Sequence, residues 1–247
     1  MEIIGRGFLA GHFESLADRH PDVTLIAAGP SSLAITSPDV FSRETAMVSA
    51  ILDDCRRRDR TAVLFSSASH AIYGHTAEPA LESDPCPQAS AFGLHKLGLE
   101  AMVADSGARW LIIRLSHAVG RGQRPHQFFP AMVRGVRDGH VRVFRDTYRD
   151  LLDVSDAVRA VDALLAAGVS KELVNVATGA PYSVETLVDC LSAHLGVSPE
   201  KEMVDPKPSR TLVSVAKLRS LIPGTPWPTA DDSYLDQLVT RHAGHYV

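Results

Sequence analysis

The sequence predicts an α/β fold, in which a parallel sheet is flanked by helices. Short apolar runs, such as Ala62–Phe65 and Trp110–Arg114, alternate with segments whose apolar residues recur at helical spacing, such as Asp39–Arg58. This alternation is typical of parallel sheets with helical crossovers. The hydroxyl residues Ser66 and Ser67 follow a buried run, and ligands of open α/β sheets bind beyond the carboxyl ends of the strands.

The first predicted strand, Ile3–Ile4, leads directly into a glycine-rich turn. Gly5, Gly7 and Ala10 form the pattern G-x-G-x-x-A, and we predict that the helix after it runs to about His20. Glycines let the backbone approach an anion, and a helix N-terminus favours negative charge. These three residues are therefore the candidate cofactor-binding loop.

The remaining elements follow the same alternation. We predict a second strand at Asp22–Ala28, a loop at Gly29–Ser32, a helix around Ala91–Ala104 and a later strand at Leu173–Ala177. Val141–Phe144 alternates as a short strand should.

Two helix starts are marked by capping residues in the C-terminal half. Ser155 or Asp156 is the expected cap of one helix, and Ser183 is the expected cap of another that ends near Leu195. Side chains of these types accept hydrogen bonds from the first free amides of a helix.

Composition excludes several classes of protein. The chain of 247 residues is 45% hydrophobic and 22% charged with a net charge of -4, which gives no reason to expect nucleic acid as a partner. Cys55, Cys86 and Cys190 are widely spaced and odd in number, so we expect neither a disulfide framework nor a metal site. That usage suits a reducing cytoplasm, and neither a signal peptide nor a membrane-length apolar run is evident.

The segment from Ser66 to Gly74 reads Ser-Ser-x-Ser-x-x-x-Tyr-Gly, and Phe92-Gly-x-x-Lys96 follows a proline-rich loop. These motifs resemble the extended short-chain dehydrogenase/reductases, the NAD-dependent epimerase/dehydratase proteins that act on nucleotide sugars. The resemblance spans nearly the whole chain. It implies a Rossmann-like sheet, a nucleotide diphosphate-sugar as partner, NAD or NADP as cofactor, and a homodimer.

The resemblance also implies a division into two parts of one compact unit. Residues 1–120 with about 150–178 are expected to form the Rossmann-like domain. Residues 121–149 with 179–247 are expected to form the small lobe, which in the family closes on the sugar.

The cofactor side departs from the family pattern. A dinucleotide site requires an acidic residue at the end of the second strand, where this chain has Ala28 and Gly29. The natural alignment deletes the second and third strands of the family, which build the adenosine half of the site. The alternative is that Val23–Ala28 is strand two, with an unusual ribose contact.

The catalytic pair departs as well. Phe92 stands where the resemblance requires the proton-transferring tyrosine, and phenylalanine cannot transfer a proton. Lys96 is retained, either to bind a phosphate or sugar oxygen or as a surface lysine. We therefore expect no cofactor, with NAD or NADP as the alternative.

Three residues near the end of the third strand remain as catalytic candidates beside Lys96. Ser69 matches the family's catalytic Ser/Thr, and Tyr73 belongs to the Tyr-Gly motif. His70 titrates near neutrality and is the candidate acid-base, since Ala71 stands where sugar dehydratases carry a Glu. His75 lies in a loop and carries little signal.

Substrate-binding candidates follow from the same resemblance. His117 stands at the place of a sugar-nucleotide Asn, Gln123 belongs to the loop that lines the base, and Arg149 and Arg210 are candidates for a diphosphate. A structural salt bridge is the competing interpretation of each arginine. His95 is expected to face solvent.

We predict an enzyme that acts on a nucleotide-activated (dTDP-type) deoxysugar, as a cofactor-independent isomerase or mutase. Both departures remove redox equipment, whereas the residues on the sugar side persist. One alternative is an NAD(P)-dependent C4 ketoreductase or epimerase. Another is a sugar-nucleotide binding subunit without catalysis.

The homodimer is expected to form through the two helices that pack beside the third strand. They carry apolar residues at Met47, Ala50, Ile51, Leu97, Leu99 and Met102.

Overall fold

A computed structural model describes residues 1–30, 37–205 and 209–246. Ser31 and Ser32, the end of the predicted loop at Gly29–Ser32, lie outside these ranges. The α-helices are α1 (Phe8–Phe13), α2 (Pro38–Arg57), α3 (His70–Tyr73), α4 (Ala91–Ala104), α5 (Phe128–Arg137), α6 (Val154–Ala166), α7 (Val184–Leu195), α8 (Ala216–Leu221) and α9 (Asp232–His242). The strands are β1 (Glu2–Ile4), β2 (Val23–Ile26), β3 (Thr61–Ser67), β4 (Arg109–Leu115), β5 (His117–Val119), β6 (His140–Phe144), β7 (Tyr148–Arg149), β8 (Leu151–Asp153), β9 (Glu172–Val176), β10 (Tyr182–Ser183) and β11 (Glu200–Val204).

The main sheet is parallel and has the order β1-β2-β3-β4-β9. The predicted α/β class with helices on both faces is confirmed. β1 lies at an edge, and in the described ranges no strand pairs with its outer side. This edge is where the alignment deletes two strands.

Alternate residues of the strands pack into two hydrophobic layers, one on each face of the main sheet. Leu25, Val63 and Ile113 are fully buried and pack with α1 and α6 on one face. Leu64 and Ile112 are buried on the other face, against α2 and α4. Burial on both faces explains why these strands are continuous apolar runs.

The C-terminal lobe has its own core, which packs α5, α7 and α9 around the parallel pair β6 and β11. Two small strand pairs connect this lobe with the main sheet. β5 pairs with β8 in parallel, and β7 pairs with β10 in antiparallel. These pairs bring the start of β5 and the end of β7 to the carboxyl edge of the main sheet.

Two helix boundaries differ from the sequence predictions. The first helix ends at Phe13 and continues only as a short 3-10 turn to Leu16, so the prediction of a helix to about His20 is wrong. α6 begins at Val154 and is capped by Asp153, whose carboxylate accepts from the Ser155 amide at 2.9 Å, so neither predicted cap is correct. The cap of α7 by Ser183 is confirmed.

In the part of the chain that the structure describes, no helix is both long enough and apolar enough to cross a membrane.

Candidate functional site

Ser69 and His70 lie at the carboxyl end of β3, where the chain turns into α3. The Ser69 hydroxyl caps this helix, accepts from the Ala71 amide at 3.2 Å and is 2.7 Å from the Ser67 hydroxyl. The capping bond fixes His70 as the first residue of α3, and its side chain is exposed. Ser69 is therefore a positioning group for His70 in this geometry.

His70 faces two other basic groups. Partial burial lowers the pKa of His70, and the charges of Arg149 and His75 lower it further, against a backbone hydrogen bond at Gly74. A neutral imidazole at neutral pH can accept a proton, which is the state that a general base requires.

Arg149 comes from β7 and approaches His70 from the C-terminal lobe. Its guanidinium donates to the carbonyl oxygen of Tyr148 at 2.7 Å and lies 5.6 Å above the ring of Phe128. His117 of β5 contacts the same ring edge-on, with centroids 6.1 Å apart. Burial lowers the pKa of Arg149, and burial together with Arg149 lowers the pKa of His117 to about 3.

Arg210 lies close to the same residues. Its guanidinium lies 5.3 Å above the ring of Tyr148, and its backbone amide donates to Nδ1 of His75 at 3.2 Å. His75 therefore lies next to Arg210, although the sequence carries little signal for it. Contacts and charge interactions link four of the predicted residues, His70, His117, Arg149 and Arg210, into one group, which we call the cationic crevice.

The carboxylate closest in sequence does not neutralise this crevice. Asp150 is buried and accepts from the amides of Thr178 at 2.9 Å and Gly179 at 2.8 Å. Burial raises the pKa of Asp150, although these hydrogen bonds oppose the shift. Among the described residues, neither Arg149 nor Arg210 forms a salt bridge. These two guanidinium groups therefore have no carboxylate partner among the described residues.

Tyr73 points into the interior instead of into the crevice. Its hydroxyl donates to Asn175 at 2.7 Å and accepts from Arg114 at 2.8 Å, and Arg114 is paired with Glu100 at 2.7 Å. Burial raises the pKa of Tyr73 to about 12. These contacts give Tyr73 a structural role and do not support the predicted catalytic one.

Lys96 is also an interior residue. Its ammonium group donates to Glu44 Oε1 at 2.7 Å, and Glu44 Oε2 lies 2.7 Å from Nε2 of His95. The His95 ring stacks on Phe41 at 4.2 Å and its side chain is 9% exposed, so the expectation that His95 faces solvent is wrong. Lys96 is buried, so its interpretation as a surface lysine is wrong, whereas its role as a ligand contact stays a prediction.

Gln123 holds its own loop together. Its side chain donates to the carbonyl oxygen of Ala118 at 3.1 Å and accepts weakly from the Gly120 amide at 3.4 Å. Both polar ends of the side chain are thereby used locally.

The glycine-rich turn serves the packing of β1 against β2. Gly5 has φ +142°, and a Cβ there would lie 2.4 Å from the carbonyl oxygen of Ala27. Gly7 precedes α1 with open space beside it, and Ala10 is buried. α1 has only six residues, so its dipole is weak.

The family follows from a comparison with known families. The family model for the NAD dependent epimerase/dehydratase family matches residues 12–177. This chain belongs to that family. Its members are enzymes, so the recognition made from the Ser-Ser-x-Ser and Tyr-Gly motifs is confirmed.

Solved structures share the fold at low sequence identity. RMD from Pseudomonas aeruginosa, complexed with NADPH, is 21% identical with a TM-score of 0.79, covering 99% of this chain and 97% of that one. UDP-glucuronic acid 4-epimerase from Bacillus cereus, in complex with NAD, is 18% identical with a TM-score of 0.76, covering 95% and 76%. dTDP-glucose 4,6-dehydratase from Bacillus anthracis str. Ames, in complex with NAD, is 17% identical with a TM-score of 0.78, covering 98% and 78%.

The residues of this chain do not fit the dinucleotide that the family name implies. β2 is followed by Ala27 and Ala28, so its end offers no carboxylate to a ribose. Glu44 fills the space beside Gly29, where an added Cβ would lie 2.0 Å from its Oε1. The same carboxylate holds Lys96, the residue that by resemblance would contact the nicotinamide ribose. Within the described ranges, moreover, no group of His, Cys, Asp and Glu residues is arranged to hold a metal ion.

Proposed function

We propose that this protein binds a nucleotide diphosphate-sugar of the dTDP-deoxysugar type in the cationic crevice and isomerises it without a dinucleotide. The observation that carries the proposal is the set of basic groups around Arg149 that no carboxylate of the described chain neutralises. Arginine forks match phosphate oxygens, and a partly buried cation such as Arg149 is costly without a partner unless a ligand supplies the counter-charge. Structural neighbours whose names include UDP- and dTDP-sugars support this choice of ligand.

His70 is the proposed acid-base. On a 4-keto sugar, its neutral imidazole takes the proton from C3, which leaves an enediolate across C3 and C4. The imidazolium then gives this proton to C4, while the proton of the C3 hydroxyl moves to the oxygen on C4, so the keto group ends at C3. The proton is conserved and no hydride leaves the sugar, so the step requires no electron acceptor. Arg149 and Arg210 hold the diphosphate, and the rings of Phe128 and Tyr148 support their guanidinium groups.

The test is proton exchange in heavy water. A dTDP-4-keto-6-deoxyhexose incubated with the protein, without added NAD(P)(H), is expected to gain deuterium beside the keto group, followed by NMR. Arg149→Ala with Arg210→Ala should weaken binding of the nucleotide about 100-fold or more, since each removes hydrogen bonds to a charged group. Unchanged affinity in this double variant would place the ligand elsewhere.

An NAD(P)-dependent ketoreductase or epimerase is the second candidate, because several neighbours are complexes with NAD or NADPH. Titration calorimetry with the oxidised and reduced forms of NAD and NADP separates the two. Micromolar affinity for any of them, or turnover only when one is added, would replace the isomerase by this candidate. Binding of the dTDP-sugar with neither exchange nor turnover would leave a non-catalytic binding subunit.

We also propose a homodimer through α2 and α4. α4 buries its ionisable residues Lys96 and Glu100, while Leu94 on its outer face is 60% exposed beside exposed Gly98 and Ala101. A helix that faces water normally has its charged residues on the outer face and its apolar residues on the buried face. α4 has the reverse distribution, and an apolar outer face suits contact with a second copy of the chain.

Light scattering at micromolar concentration should give twice the mass of the chain for the native protein and the mass of a monomer for Leu94→Arg. Leu81→Arg is the control, since Leu81 is also exposed (46%) but lies in a loop; a monomeric native protein would refute the dimer.

A further inference from the structure

A second basic cleft lies on the C-terminal lobe, between the loop after β5, the first turns of α5 and the C-terminal turn. Its volume is about 560 Å³, which is in the range of small-molecule sites. Arg121 and Arg134 supply its charge, and Pro125, Pro130 and Tyr246 supply apolar walls. No acidic residue of the described chain lines it.

Arg134 is a partly buried cation with most of its donors unused. It donates to the carbonyl oxygen of Pro125, while its Nε is fully buried without a partner among the described residues. A guanidinium group has five N–H donors, and a buried donor left unpaired costs free energy. An anion in the cleft would supply the counter-charge and would accept from donors of the terminal nitrogens that the Pro125 carbonyl oxygen does not use.

The loop that carries Arg121 is held in place by bonds from three directions. The Tyr246 hydroxyl donates to the carbonyl oxygen of Gly120, the Gln127 side chain accepts from the Arg124 amide at 2.7 Å, and His12 contacts the carbonyl oxygen of Arg121 at 2.9 Å. Such fixation lowers the entropy lost when a ligand binds.

This cleft is separate from the cationic crevice. Phe128 and Arg134 are six positions apart on α5, so at 3.6 residues per turn their directions differ by about 120°. Phe128 contacts Arg149 in the crevice, whereas Arg134 faces the loop at Pro125. A ligand on Arg134 therefore does not use the arginines of the proposed catalytic site.

We propose that this cleft binds the phosphate monoester of a small ring compound, with Arg134 and Arg121 on the phosphate and Tyr246 and the two prolines beside the ring. The proposal does not depend on the proposed isomerase activity. The two arginines are the reason why we expect the cleft to bind a phosphate group. The apolar walls are the reason why we expect it to prefer a phosphate attached to a ring over a free ion.

Glucose 1-phosphate and inorganic phosphate are the probes, measured by calorimetry and by the NMR signal of the Arg134 Nε–H group in the full chain. Glucose 1-phosphate is expected to bind more tightly than phosphate and to shift that signal. Arg134→Gln should lower its affinity about tenfold, and Arg121→Gln should lower it as well. Arg137→Gln is the matched control on the same helix, because Arg137 is exposed and already paired with Asp138 at 2.8 Å.

A competition experiment with UDP tests whether this cleft is separate from the cationic crevice. Saturating UDP should leave glucose 1-phosphate bound at Arg134, and Arg149→Ala should leave its affinity unchanged. The proposal is overturned if the two cleft variants bind glucose 1-phosphate as the native protein does. It is also overturned if UDP displaces the ligand, or if sulfate binds equally well and the cleft is a general anion patch.

Discussion

Two groups of basic residues lie near the carboxyl edge of the sheet, and they differ in whether a carboxylate of the protein pairs with them. In the first, Lys96 and His95 share both oxygens of the buried Glu44 carboxylate. In the second, Arg149 and His117 lie against Phe128, and the neighbouring Asp150 is turned towards backbone amides. The first group has its counter-charge within the protein, and we call it the complete group. The second has no carboxylate partner among the described residues, and we call it the incomplete group. This difference is the basis on which we propose that the second group binds a ligand.

The largest effect is expected where the complete group is broken. Glu44→Leu keeps most of the side-chain volume but leaves the Lys96 ammonium buried without a counter-charge. Removing one partner of a buried ion pair typically costs about 3–5 kcal/mol, so the free energy of unfolding in urea should fall by that amount.

The double variant Glu44→Leu with Lys96→Met is the control for this prediction. It removes both charges and should regain most of the loss, because well-packed apolar residues can replace a buried pair. A loss under about 1 kcal/mol in the single variant would mean that Lys96 reaches water, and the comparison between the two groups would fail.

The second effect concerns His70 in the incomplete group. His70→Gln should lower turnover of the dTDP-sugar by about 100-fold or more, since a positioned general acid-base contributes that much, while UDP affinity stays unchanged. Because the pKa of His70 is lowered, native turnover should hold at neutral pH and fall only below pH 6.5. His126→Gln, in an exposed loop, is the control. Native turnover in His70→Gln would remove the acid-base role from this residue.

The smallest effect is a pH dependence that comes from His117. Its pKa of about 3 in the folded protein lies below the ordinary value of 6.5, so the unfolded chain binds the extra proton first. The stability contributed by neutral His117 is complete above pH 6.5 and is lost as the pH falls towards 3, by about 2 kcal/mol at pH 5. His117→Asn should flatten the fall of the free energy of unfolding between pH 7 and pH 5. Saturating UDP should also reduce this fall, since an anion beside His117 favours its protonation. If the free energy of unfolding falls equally with pH in all three samples, the idea that the charge of Arg149 beside His117 is uncompensated is contradicted.

Most of the fold could be predicted from the sequence because the inner strands β2, β3 and β4 are buried on both faces. Continuous apolar runs mark such strands, and helical spacing marks the crossovers, so the predicted segment at Ala91–Ala104 coincides with α4. The first helix was predicted too long because Glu14–Leu16 keeps a helical pattern while turning as a 3-10 segment.

The candidate site was only partly predictable, because charge pairing joins residues that are distant in sequence. Family motifs located His70, His117, Arg149 and Arg210. The partner of Lys96 lies 52 positions away, and spacing gives no sign of it. Tyr148 and Asp150 were missed for the same reason, although both flank the predicted Arg149.

The edge position of β1 has a consequence for self-association. An open sheet edge exposes a row of free backbone groups on which another chain can add a strand. Here the edge strand is three residues long and Glu2 on it is exposed. The strand ends at Ile4, and the backbone of the next residue, Gly5, is close to Ala27. A short, charged edge is a poor template for strand addition. The length and charge of β1 therefore limit aggregation through the open edge of the sheet.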